Sequence, residues 1–348
     1  MKTQISEIHF IYIIKLQMKL ISGRSNKHLA NLIAKKLNIS LVDIVLDNFA
    51  NSELRVEIKE KIRECNVYIL QTSCQTNEFS VNDYLFELCS IVDTCKRSHA
   101  KSITVIVPCF PYARSDKKDK SRVPINAKLV INFLKTSGAD RIVTIDIHSG
   151  QIQGFIDKPF HNLYSMKNQL KYIRNTLFKD LDIEQINAQY ILVSPDAGGY
   201  RKIDACAEEL KMSYVTMNKK RDYSQKNVVS KSILAGNIEE IKNKTAIIID
   251  DIVDTFGTMI ITSEILHSLG VKDVIILATH GIFSDKAIEK LNNCNIITKV
   301  VVTNTIDQSE NIKKSNKIEI LDMSGLLTKF IQKMEFGESV GELFNQSF

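Results

Sequence analysis

The stretch from Ala246 to Ile260, AIIIDDIVDTFGTMI, joins a short apolar run to three aspartates and a Thr-Phe-Gly-Thr sequence. The β-branched run AIII is typical of a strand that is buried on both faces of a sheet. The following segment, 259–270, has apolar residues at helical spacing and ends in a glycine, so we expect a helix there. The residues between the strand and the helix then lie at the carboxyl end of the strand, where open α/β sheets bind ligands.

The polar residues of this stretch predict a site for a phosphorylated sugar. Backbone amides at a helix N-terminus, together with the hydroxyls and the glycine of 255–258, suit a phosphate dianion. Asp250 and Asp251 cannot bind an anion, but their carboxylates accept hydrogen bonds from vicinal hydroxyls or hold a magnesium ion. The alternative is a helix capped by Asp254, with two solvated carboxylates beside it.

The composition describes a folded protein that binds small anions. A length of 348 residues fits about two domains, and 44% hydrophobic residues with only 5 prolines argue against long disorder. The net charge of +6 comes from scattered lysines without a basic block, so nucleic acid is not an expected partner. The chain also lacks the Gly-rich motifs of P-loop and Rossmann nucleotide sites.

The cysteines and the N-terminal segment bear on the compartment. The 7 cysteines are odd in number and form no Cys-x-x-Cys pair, which favours neither a disulfide framework nor a zinc site and suggests the cytoplasm. The apolar run 8–14 is too short to span a bilayer, so no membrane association is expected. We interpret residues 1–17 as an N-terminal extension, with a weak targeting sequence as the alternative, because MKLISG from Met18 reads as a first strand.

Short apolar runs alternate with helical patterns along the whole chain, which predicts an α/β fold with mainly parallel sheets flanked by helices. The second half repeats the architecture of the first. The polar region 157–168 suggests a boundary between an N-terminal domain, 18–160, and a C-terminal domain, 161–348. The last predicted helix, 324–333, could pack on either half.

Other stretches carry candidate chemistry. Arg114 lies in a glycine-free charged loop and could bind phosphates as a planar, permanently charged donor, although a solvated loop is the alternative. Lys219 and Arg221 are two residues apart and share one side of an extended chain, or they are ordinary surface charges. His148 and Asp196 each follow a predicted strand and should lie at carboxyl edges, although a lone histidine is more often structural.

The segment from Asp250 to Thr258 resembles the phosphoribosyl-diphosphate signature of the type I phosphoribosyltransferase fold. Further segments resemble, in order, those of the ribose-phosphate pyrophosphokinase family: VPCFPYARSDKKDKSR (107–122), TIDIHSGQIQGF (144–155), VSPDAGG (193–199), ILATHGIFS (276–284), VVTNTI (301–306) and GESVGELF (337–344). The resemblance covers residues 18–348 and implies two tandem phosphoribosyltransferase type I-like domains. It also implies transfer of the β,γ-diphosphate of ATP to the 1-hydroxyl of ribose 5-phosphate, giving phosphoribosyl diphosphate and AMP.

The resemblance assigns a role to individual residues. It implies that the ATP-binding residues are Phe49, Asn51, Glu53, Arg114, Ser115, Asp119 and His148. It implies that the ribose 5-phosphate-binding residues are Asp250, Asp251, Asp254, Thr255, Phe256, Gly257 and Thr258. It also implies a diphosphate loop formed by Asp196, Ala197, Gly198 and Gly199. The catalytic pair would be Lys219 and Arg221, magnesium would bind to His148 and Asp196, and the enzyme would be a homo-oligomer, a hexamer in similar enzymes.

Some positions depart from the family pattern. Ser115 stands where a glutamine is usual, and it cannot span the same distance to ATP. Phe256 replaces a small residue, so its ring must turn away from the phosphate or crowd the loop. Lys61 and Gly150 differ from serines linked to regulation in one family class, so regulation is not carried over. Two rival functions therefore stand beside the pyrophosphokinase: a non-catalytic regulatory homologue, and a phosphoribosyltransferase that consumes the activated sugar.

Overall fold

The structure is a computed structural model that describes residues 17–221, 229–235 and 238–343. The strands are β1 (Met18–Ser22), β2 (Ile44–Asn48), β3 (Leu54–Ile58), β4 (Asn66–Leu70), β5 (Ser102–Ile106), β6 (Arg141–Ile145), β7 (Phe160–Leu163), β8 (Tyr190–Ser194), β9 (Tyr214–Arg221), β10 (Val229–Ala235), β11 (Thr245–Val253), β12 (Asp273–Gly281), β13 (Ile297–Thr303) and β14 (Ile318–Leu321). The predicted alternation of strands and helices is confirmed, with a first strand beginning at Met18. Residues 1–16 of the predicted extension lie outside the described residues.

The α-helices follow the strands in the predicted rhythm. They are α1 (Lys27–Leu37), α2 (Val81–Arg97), α3 (Asn126–Ser137), α4 (Met166–Tyr172), α5 (Ile183–Gln189), α6 (Tyr200–Leu210), α7 (Gly257–Ser268), α8 (Ala287–Asn293), α9 (Asn311–Lys314) and α10 (Ser324–Phe336). Helix α4 continues into one π-helical turn, Ile173–Leu177. None of the helices in the described part of the chain is long and apolar enough to cross a membrane.

Local sequence signals explain where the first helices begin and end. The side chain of Asn26 accepts a hydrogen bond from the Leu29 amide and caps α1, and Asn38 ends that helix in the left-handed conformation. Ser80 and Asp83 form a reciprocal capping box at the start of α2. These caps satisfy backbone groups that a helix end leaves without intrahelical partners.

The described residues form two compact units. The first contains 17–164, 305–307 and 322–343, and the second contains 165–221, 229–235, 238–304 and 308–321. The chain therefore re-enters the first unit twice near its end. The sequence predicts a single domain boundary after residue 160, and this boundary stays a prediction. The compact units differ from it, because the first unit also includes two later segments of the chain.

The first unit is built on a parallel sheet in the order β1-β4-β5-β6-β7. Successive residues of each strand enter opposite cores, because side chains alternate across a sheet. Ile69 and Val105 face the core that α2 and α3 cover, whereas Leu70 and Ile106 face the core that α1 and α10 cover. Burial of both faces explains why these strands read as continuous apolar runs.

Helix α10 packs on α1 in this unit and is also held by hydrogen bonds to β4. Its Glu335 carboxylate accepts a hydrogen bond of 2.7 Å from the Tyr68 hydroxyl and one of 3.2 Å from the Asn66 side-chain amide. Burial, followed by the charge of Glu335, raises the pKa of Tyr68. The hydroxyl therefore remains a donor to Glu335 over the physiological pH range.

The second unit contains a seven-stranded sheet in the order β10-β9-β8-β11-β12-β13-β14, parallel except for the antiparallel pair β9 and β10. Ile248 and Ile276 face the core under α7 and α8. Ile247 and Leu277 face the core under α4 and α6. Both units thus place helices on both faces of a parallel sheet, as the sequence predicts for this fold class.

The short pair β2 and β3 forms an antiparallel hairpin in the first unit, apart from the main sheet. Its turn, 49–53, is closed by hydrogen bonds from the Phe49 amide to the Glu53 carbonyl and from the Ser52 amide to the Phe49 carbonyl, each 2.8 Å long. Ser52 adopts a left-handed backbone with φ of 68°. The hairpin therefore carries three of the predicted ATP-binding residues on a defined turn.

His161 provides a test of the packing of α10. Its ring lies 5.3 Å from the ring of Phe330, and burial, followed by the positive charge of Arg141, lowers the pKa of His161 below its ordinary value of 6.5. The unfolded chain then binds the proton more readily than the folded chain. The stabilisation is therefore fully present above a pH of about 6.5 and is lost as the pH falls through the lower folded-state pKa.

We expect His161→Phe to reduce the pH dependence of the free energy of unfolding between about pH 7.5 and about pH 5, because the variant keeps an aromatic ring but binds no proton there. Urea unfolding at a series of pH values measures this. His28→Gln removes an exposed histidine of α1 and serves as the control. Parallel pH profiles for the wild type and His161→Phe would show that His161 contributes nothing to the dependence.

Candidate active site

The paired aspartates lie at the carboxyl end of β11, where the neighbouring strand β8 has already ended its pairing. The register of β11 with β8 stops at the Ile248–Val193 pair, but β11 continues beside β12 as far as Val253. Asp250 and Asp251 are therefore strand residues rather than loop residues, which corrects the sequence interpretation. The extra length beyond β8 opens one side of the strand at this position.

Asp250 has a strongly perturbed carboxyl group. Burial, followed by the charges of Asp251 and Asp196, raises its pKa well above the ordinary value of 3.8. Asp251 is the chain neighbour of Asp250, and Asp196 follows β8, which pairs with β11. A carboxyl group perturbed in this way is typical of functional sites.

Phe256 occupies the junction between the loop and α7. Its backbone is left-handed, with φ of 66° and ψ of −4°. The side chain is only 2% exposed, and its ring stacks on that of Phe283 with a centroid distance of 6.0 Å and an interplanar angle of 19°. Of the two outcomes that the sequence allowed, the ring turns away from the loop and packs in the core of the second unit.

Gly281 makes room for this aromatic pair. A Cβ atom at position 281 would lie 2.5 Å from Cε2 of Phe283 and 2.9 Å from Cγ1 of Val302. Either approach is too close for a side chain, so the glycine of the Thr-His-Gly segment is required by packing. The loop of residues 254–258 is thus supported by the contact of Phe256 with Phe283, and Gly281 provides the space for Phe283.

The loop after β8 is compact and held by its own polar groups. The Ser194 hydroxyl donates a 2.8 Å hydrogen bond to the Asp196 carbonyl, and the Gly199 amide donates one of 3.1 Å to the Asp196 carboxylate. A Cβ atom at Gly199 would lie 2.5 Å from the Ser194 hydroxyl oxygen. Asp196 remains exposed, so the loop presents its carboxylate to solvent.

Two lysines that sequence reasoning missed fix the backbone of the acidic segment. The Lys202 ammonium, from α6, donates a 3.1 Å hydrogen bond to the Asp250 carbonyl. The Lys290 ammonium, from α8, donates one of 3.0 Å to the Thr255 carbonyl. No local pattern links these positions, since the partners are 48 and 35 residues apart in sequence.

Lys219 and Arg221 lie at the end of β9, which confirms that this segment is extended. Lys219 pairs with Ser232 and Arg221 with Val229 across the antiparallel ladder to β10. Positions two apart in a strand share a face, so the spacing is compatible with a common target. Their catalytic role stays a prediction.

In the first unit, the predicted ATP-binding residues follow the ends of β5 and β6 or lie on the hairpin turn. Arg114, Asp119 and His148 are exposed. The segment before His148 is fixed by a 2.9 Å hydrogen bond from the Ile147 amide to the Asn162 side-chain oxygen. His148 belongs to the first unit and Asp196 to the second, and metal binding by each stays a prediction.

Ser115 has a structural partner of its own. Its hydroxyl oxygen accepts a 3.3 Å hydrogen bond from the Asn126 amide, and its carbonyl accepts one of 3.1 Å from the Ala127 amide. Ser115 therefore binds the first turn of α3. The short side chain at this position serves the start of a helix, which the sequence comparison with a glutamine could not show.

A buried polar network near the end of β1 also escaped sequence reasoning. The Glu87 carboxylate is fully buried and pairs with the guanidinium Nε of Arg24. It also accepts hydrogen bonds of 2.8 Å from the Arg24 backbone amide and 2.6 Å from the Gln71 side-chain amide. Gly23 permits this arrangement, because a Cβ atom there would lie 2.2 Å from the Gln71 oxygen.

Comparison with known proteins identifies relatives over nearly the whole chain. A model described as the N-terminal domain of ribose phosphate pyrophosphokinase matches residues 18–138, and one described as a phosphoribosyl synthetase-associated domain matches residues 201–345. Ribose-phosphate pyrophosphokinase 2 of Schizosaccharomyces pombe is 40% identical over 328 residues, which cover 94% of this chain and 97% of the relative.

A solved structure is also similar. The crystal structure of phosphoribosylpyrophosphate synthetase from Mycobacterium smegmatis superposes with a TM-score of 0.81 at 35% identity, and the match covers 92% of this chain and 99% of that one. Similarity at this level extends to both units of the fold.

The aromatic pair gives a test of how the loop of residues 254–258 is supported. We expect Phe256→Ala to lower the free energy of unfolding by about 3 to 5 kcal/mol, because it removes a buried ring and leaves a cavity. Urea unfolding followed by circular dichroism measures the change. Ile312→Ala, which shortens a side chain that is 45% exposed in the same unit, is the control and should cost far less.

The double variant Phe256→Ala/Phe283→Ala tests the contact itself. Its destabilisation should be smaller than the sum of the two single changes, since both remove the same aromatic interaction, worth about 0.5 to 1.5 kcal/mol. Strict additivity, or a Phe256→Ala variant as stable as the wild type, would contradict the packing described for this ring.

Proposed function

The chain belongs to the ribose-phosphate pyrophosphokinase family, and from this premise we propose how its residues transfer the β,γ-diphosphate of ATP to ribose 5-phosphate. The products are phosphoribosyl diphosphate and AMP. The observation that carries the proposal is the packing at the N-terminus of α7, where Phe256 is buried while Thr255 and Thr258 are exposed. A helix N-terminus with adjacent hydroxyls suits the 5-phosphate.

Ribose 5-phosphate would bind along the segment from Asp250 to Thr258. The phosphate would lie on residues 254–258, and the sugar hydroxyls would donate hydrogen bonds to Asp250 and Asp251. The perturbed carboxyl of Asp250 supports this placement, since hydroxyl donors and cations both relieve the repulsion between neighbouring carboxylates.

The diphosphate would contact the loop after β8. Gly198 and Gly199 allow close approach of backbone to an anion, and a side chain at Gly199 has no room beside Ser194. Ala197 lies in the same short 3-10 turn, Ala197–Gly199. These features support, for this chain, the diphosphate role that the family resemblance implies.

ATP would bind to the first unit through residues on three segments. Phe49, which is 55% exposed, would stack on the purine, while Asn51 and Glu53 on the same hairpin would bind its edge. Arg114 would pair with the phosphates as a planar donor, and His148 and Asp119 would contact the nucleotide from neighbouring loops. Ser115 would contact ATP through its backbone and short side chain, although its hydroxyl oxygen also accepts a hydrogen bond from α3.

Magnesium is the cofactor that the family implies, and the residues fit it. Among residues 17–221, 229–235 and 238–343, no group of three or more His, Cys, Asp or Glu side chains is arranged around one ion. Magnesium does not require one, because it usually takes one or two carboxylates and completes its shell with water and substrate phosphates. We propose that Asp196 and His148 each bind magnesium; when bound, it would neutralise charge on the polyphosphate.

The transfer is an in-line displacement. The 1-hydroxyl oxygen of ribose 5-phosphate forms a bond to the β-phosphorus of ATP, the bond from that phosphorus to the α,β-bridging oxygen breaks, and AMP leaves with the electron pair. The hydroxyl proton reaches solvent when the products leave. Lys219 and Arg221 would stabilise the charge that develops on the transferring group.

Water must be excluded during this step, because ATP would otherwise be hydrolysed. We propose that the loop 114–122 closes over the substrates. The sequence also predicts closure by 219–226, but residues 219–221 belong to β9 and residues 222–226 lie outside the described residues.

We also propose that the protein is a homo-oligomer, a hexamer by family resemblance, and that it is located in the cytoplasm. Light scattering on the purified protein tests the oligomeric state.

The rival functions make different demands. A non-catalytic homologue was suggested by Ser115 and Phe256, but Ser115 binds the start of α3 and Phe256 packs in the core. Neither substitution removes a charged residue of the proposed site. A phosphoribosyltransferase that consumes the activated sugar is less consistent with the comparison, because the similarity to a ribose-phosphate pyrophosphokinase extends over 94% of the chain.

The assay mixes purified protein with ATP, ribose 5-phosphate and magnesium and follows AMP. We expect AMP only when the sugar phosphate is present. Well-folded protein that binds the sugar phosphate without forming AMP would support the regulatory homologue, and ligation of a nucleobase from added phosphoribosyl diphosphate would support the phosphoribosyltransferase.

Lys219→Ala tests the catalytic assignment. We expect turnover to fall by a factor of about 10² to 10³, the usual effect of removing one donor that stabilises transition-state charge. Lys220→Ala, at the intervening position of the same strand, is the matched control and should retain turnover. Equal rates for the wild type and Lys219→Ala would remove Lys219 from the mechanism.

A further inference from the structure

Arg24 contacts three separate elements of the first unit. It follows the carboxyl end of β1 and has a side chain that is 20% exposed. Its Nε pairs with Glu87 of α2, its Nη1 donates a 2.9 Å hydrogen bond to the side-chain oxygen of Asn48, and its guanidinium lies 4.0 Å from the ring centroid of Phe79. The guanidinium thus contacts helix α2, the β2–β3 hairpin and the segment before α2 that contains Phe79.

The buried end of this contact is rigid. Glu87 is fully buried and receives hydrogen bonds from the Arg24 amide and from Gln71, and Gln71 is itself bound by the amide and hydroxyl of Ser25 at 3.1 and 2.6 Å. A buried carboxylate with several donors fixes its partner, because moving the guanidinium away would leave the charge uncompensated. Phe79 covers one face of the guanidinium and restricts it further.

The other end of the contact reaches the hairpin turn. Asn48 is the last residue of β2, and while its side-chain oxygen accepts from Arg24, its side-chain amide donates a 2.9 Å hydrogen bond to the Ser52 carbonyl. The same turn is supported by a 3.2 Å hydrogen bond from the Glu53 amide to the Asn51 side chain. Asn48 therefore connects Arg24 to the backbone of residues 49–53.

We propose that Arg24 is a positioning residue for purine recognition, acting through Asn48 on the turn that carries Phe49, Asn51 and Glu53. The strands of the hairpin pack against the core of the first unit through the partly buried residues Ile44, Leu46, Val56 and Ile58. The turn itself is exposed and lies outside the main sheet, so the contacts of Asn48 support the turn rather than the strands. Arg24 does not touch the substrate in this proposal. The inference rests on the proposed function, since it concerns the nucleotide that this turn binds.

The experiment measures AMP formation by the full chain. ATP is varied at saturating ribose 5-phosphate, and ribose 5-phosphate is then varied at saturating ATP. Asn48→Ala removes the hairpin end of the contact, and Arg24→Lys keeps a cation for Glu87 but loses the fork that reaches Asn48. We expect each change to raise KM for ATP by about tenfold, the effect of losing one hydrogen bond to a charged group, with kcat and KM for ribose 5-phosphate unchanged.

Arg55→Lys is the matched control. Arg55 lies on β3 of the same hairpin and pairs with the exposed carboxylates of Asp47 and Glu57 at 3.7 and 3.0 Å. The control makes the same chemical change on the same hairpin and should leave KM for ATP as in the wild type. The double variant Arg24→Lys/Asn48→Ala should raise KM for ATP no further than Asn48→Ala alone, since that single change already removes the contact with Arg24 together with the bond to Ser52.

Hydrogen exchange provides a readout that does not depend on turnover. The amides of Phe49 and Ser52 are bonded within the turn and should exchange faster in Asn48→Ala and Arg24→Lys than in the wild type or Arg55→Lys. An unchanged KM for ATP with faster exchange would overturn the recognition role, and unchanged exchange would overturn the anchoring. If the wild type forms no AMP, the proposed function fails, and the exchange rates still decide whether Arg24 anchors the hairpin.

Discussion

Both sheets are buried on both faces, and this constraint decides where polar chemistry can occur. A strand such as β4 or β11 alternates its side chains between two apolar cores, so a charged residue in its middle would have to be desolvated. Polar residues can face solvent only beyond the last buried pair, at the ends of the strands. Because most strands of the two main sheets are parallel, their carboxyl ends meet at one edge of each sheet, and Asp196, Asp250 and Asp251 lie at such ends. Phe49, Asn51 and Glu53 are different, because they lie on the turn of the separate hairpin.

The acidic edge of the second unit shows how strand length shapes a site. β8 stops pairing with β11 at Ile248, whereas β11 continues to Val253. Asp250 and Asp251 lie in this continuation. The acids are therefore supported by β12 on one side and open on the other. Lys202 and Lys290 hold the backbone carbonyls of the same segment, so positive charge fixes the main chain while the carboxylates are left for a ligand.

Two departures from the family pattern are absorbed by packing and hydrogen bonding. Phe256 could have crowded the phosphate loop, but its ring stacks on Phe283 in the core, and Gly281 supplies the space that Phe283 needs. Ser115 is too short to replace a glutamine, but its hydroxyl accepts a hydrogen bond from the first turn of α3. In both cases a residue that looks unfavourable for function in the sequence has a structural partner, 11 residues along the chain for Ser115 and 27 for Phe256.

The amino-acid sequence by itself determined the fold class and the alternation of strands and helices, because periodicity is a local signal. The phosphate-binding role of the acidic segment stays a prediction. The hairpin of β2 and β3 was missed, although the apolar runs on both sides of its turn have the strand period. Tertiary structure alone decided the length of β11 relative to β8, the direction of the Phe256 ring and the return of α10 to the first unit. It also decided the link from Glu87 through Arg24 to Asn48. Each of these depends on partners 24 or more residues apart in the chain, and no local pattern records which distant residue supplies the space, the charge or the hydrogen bond.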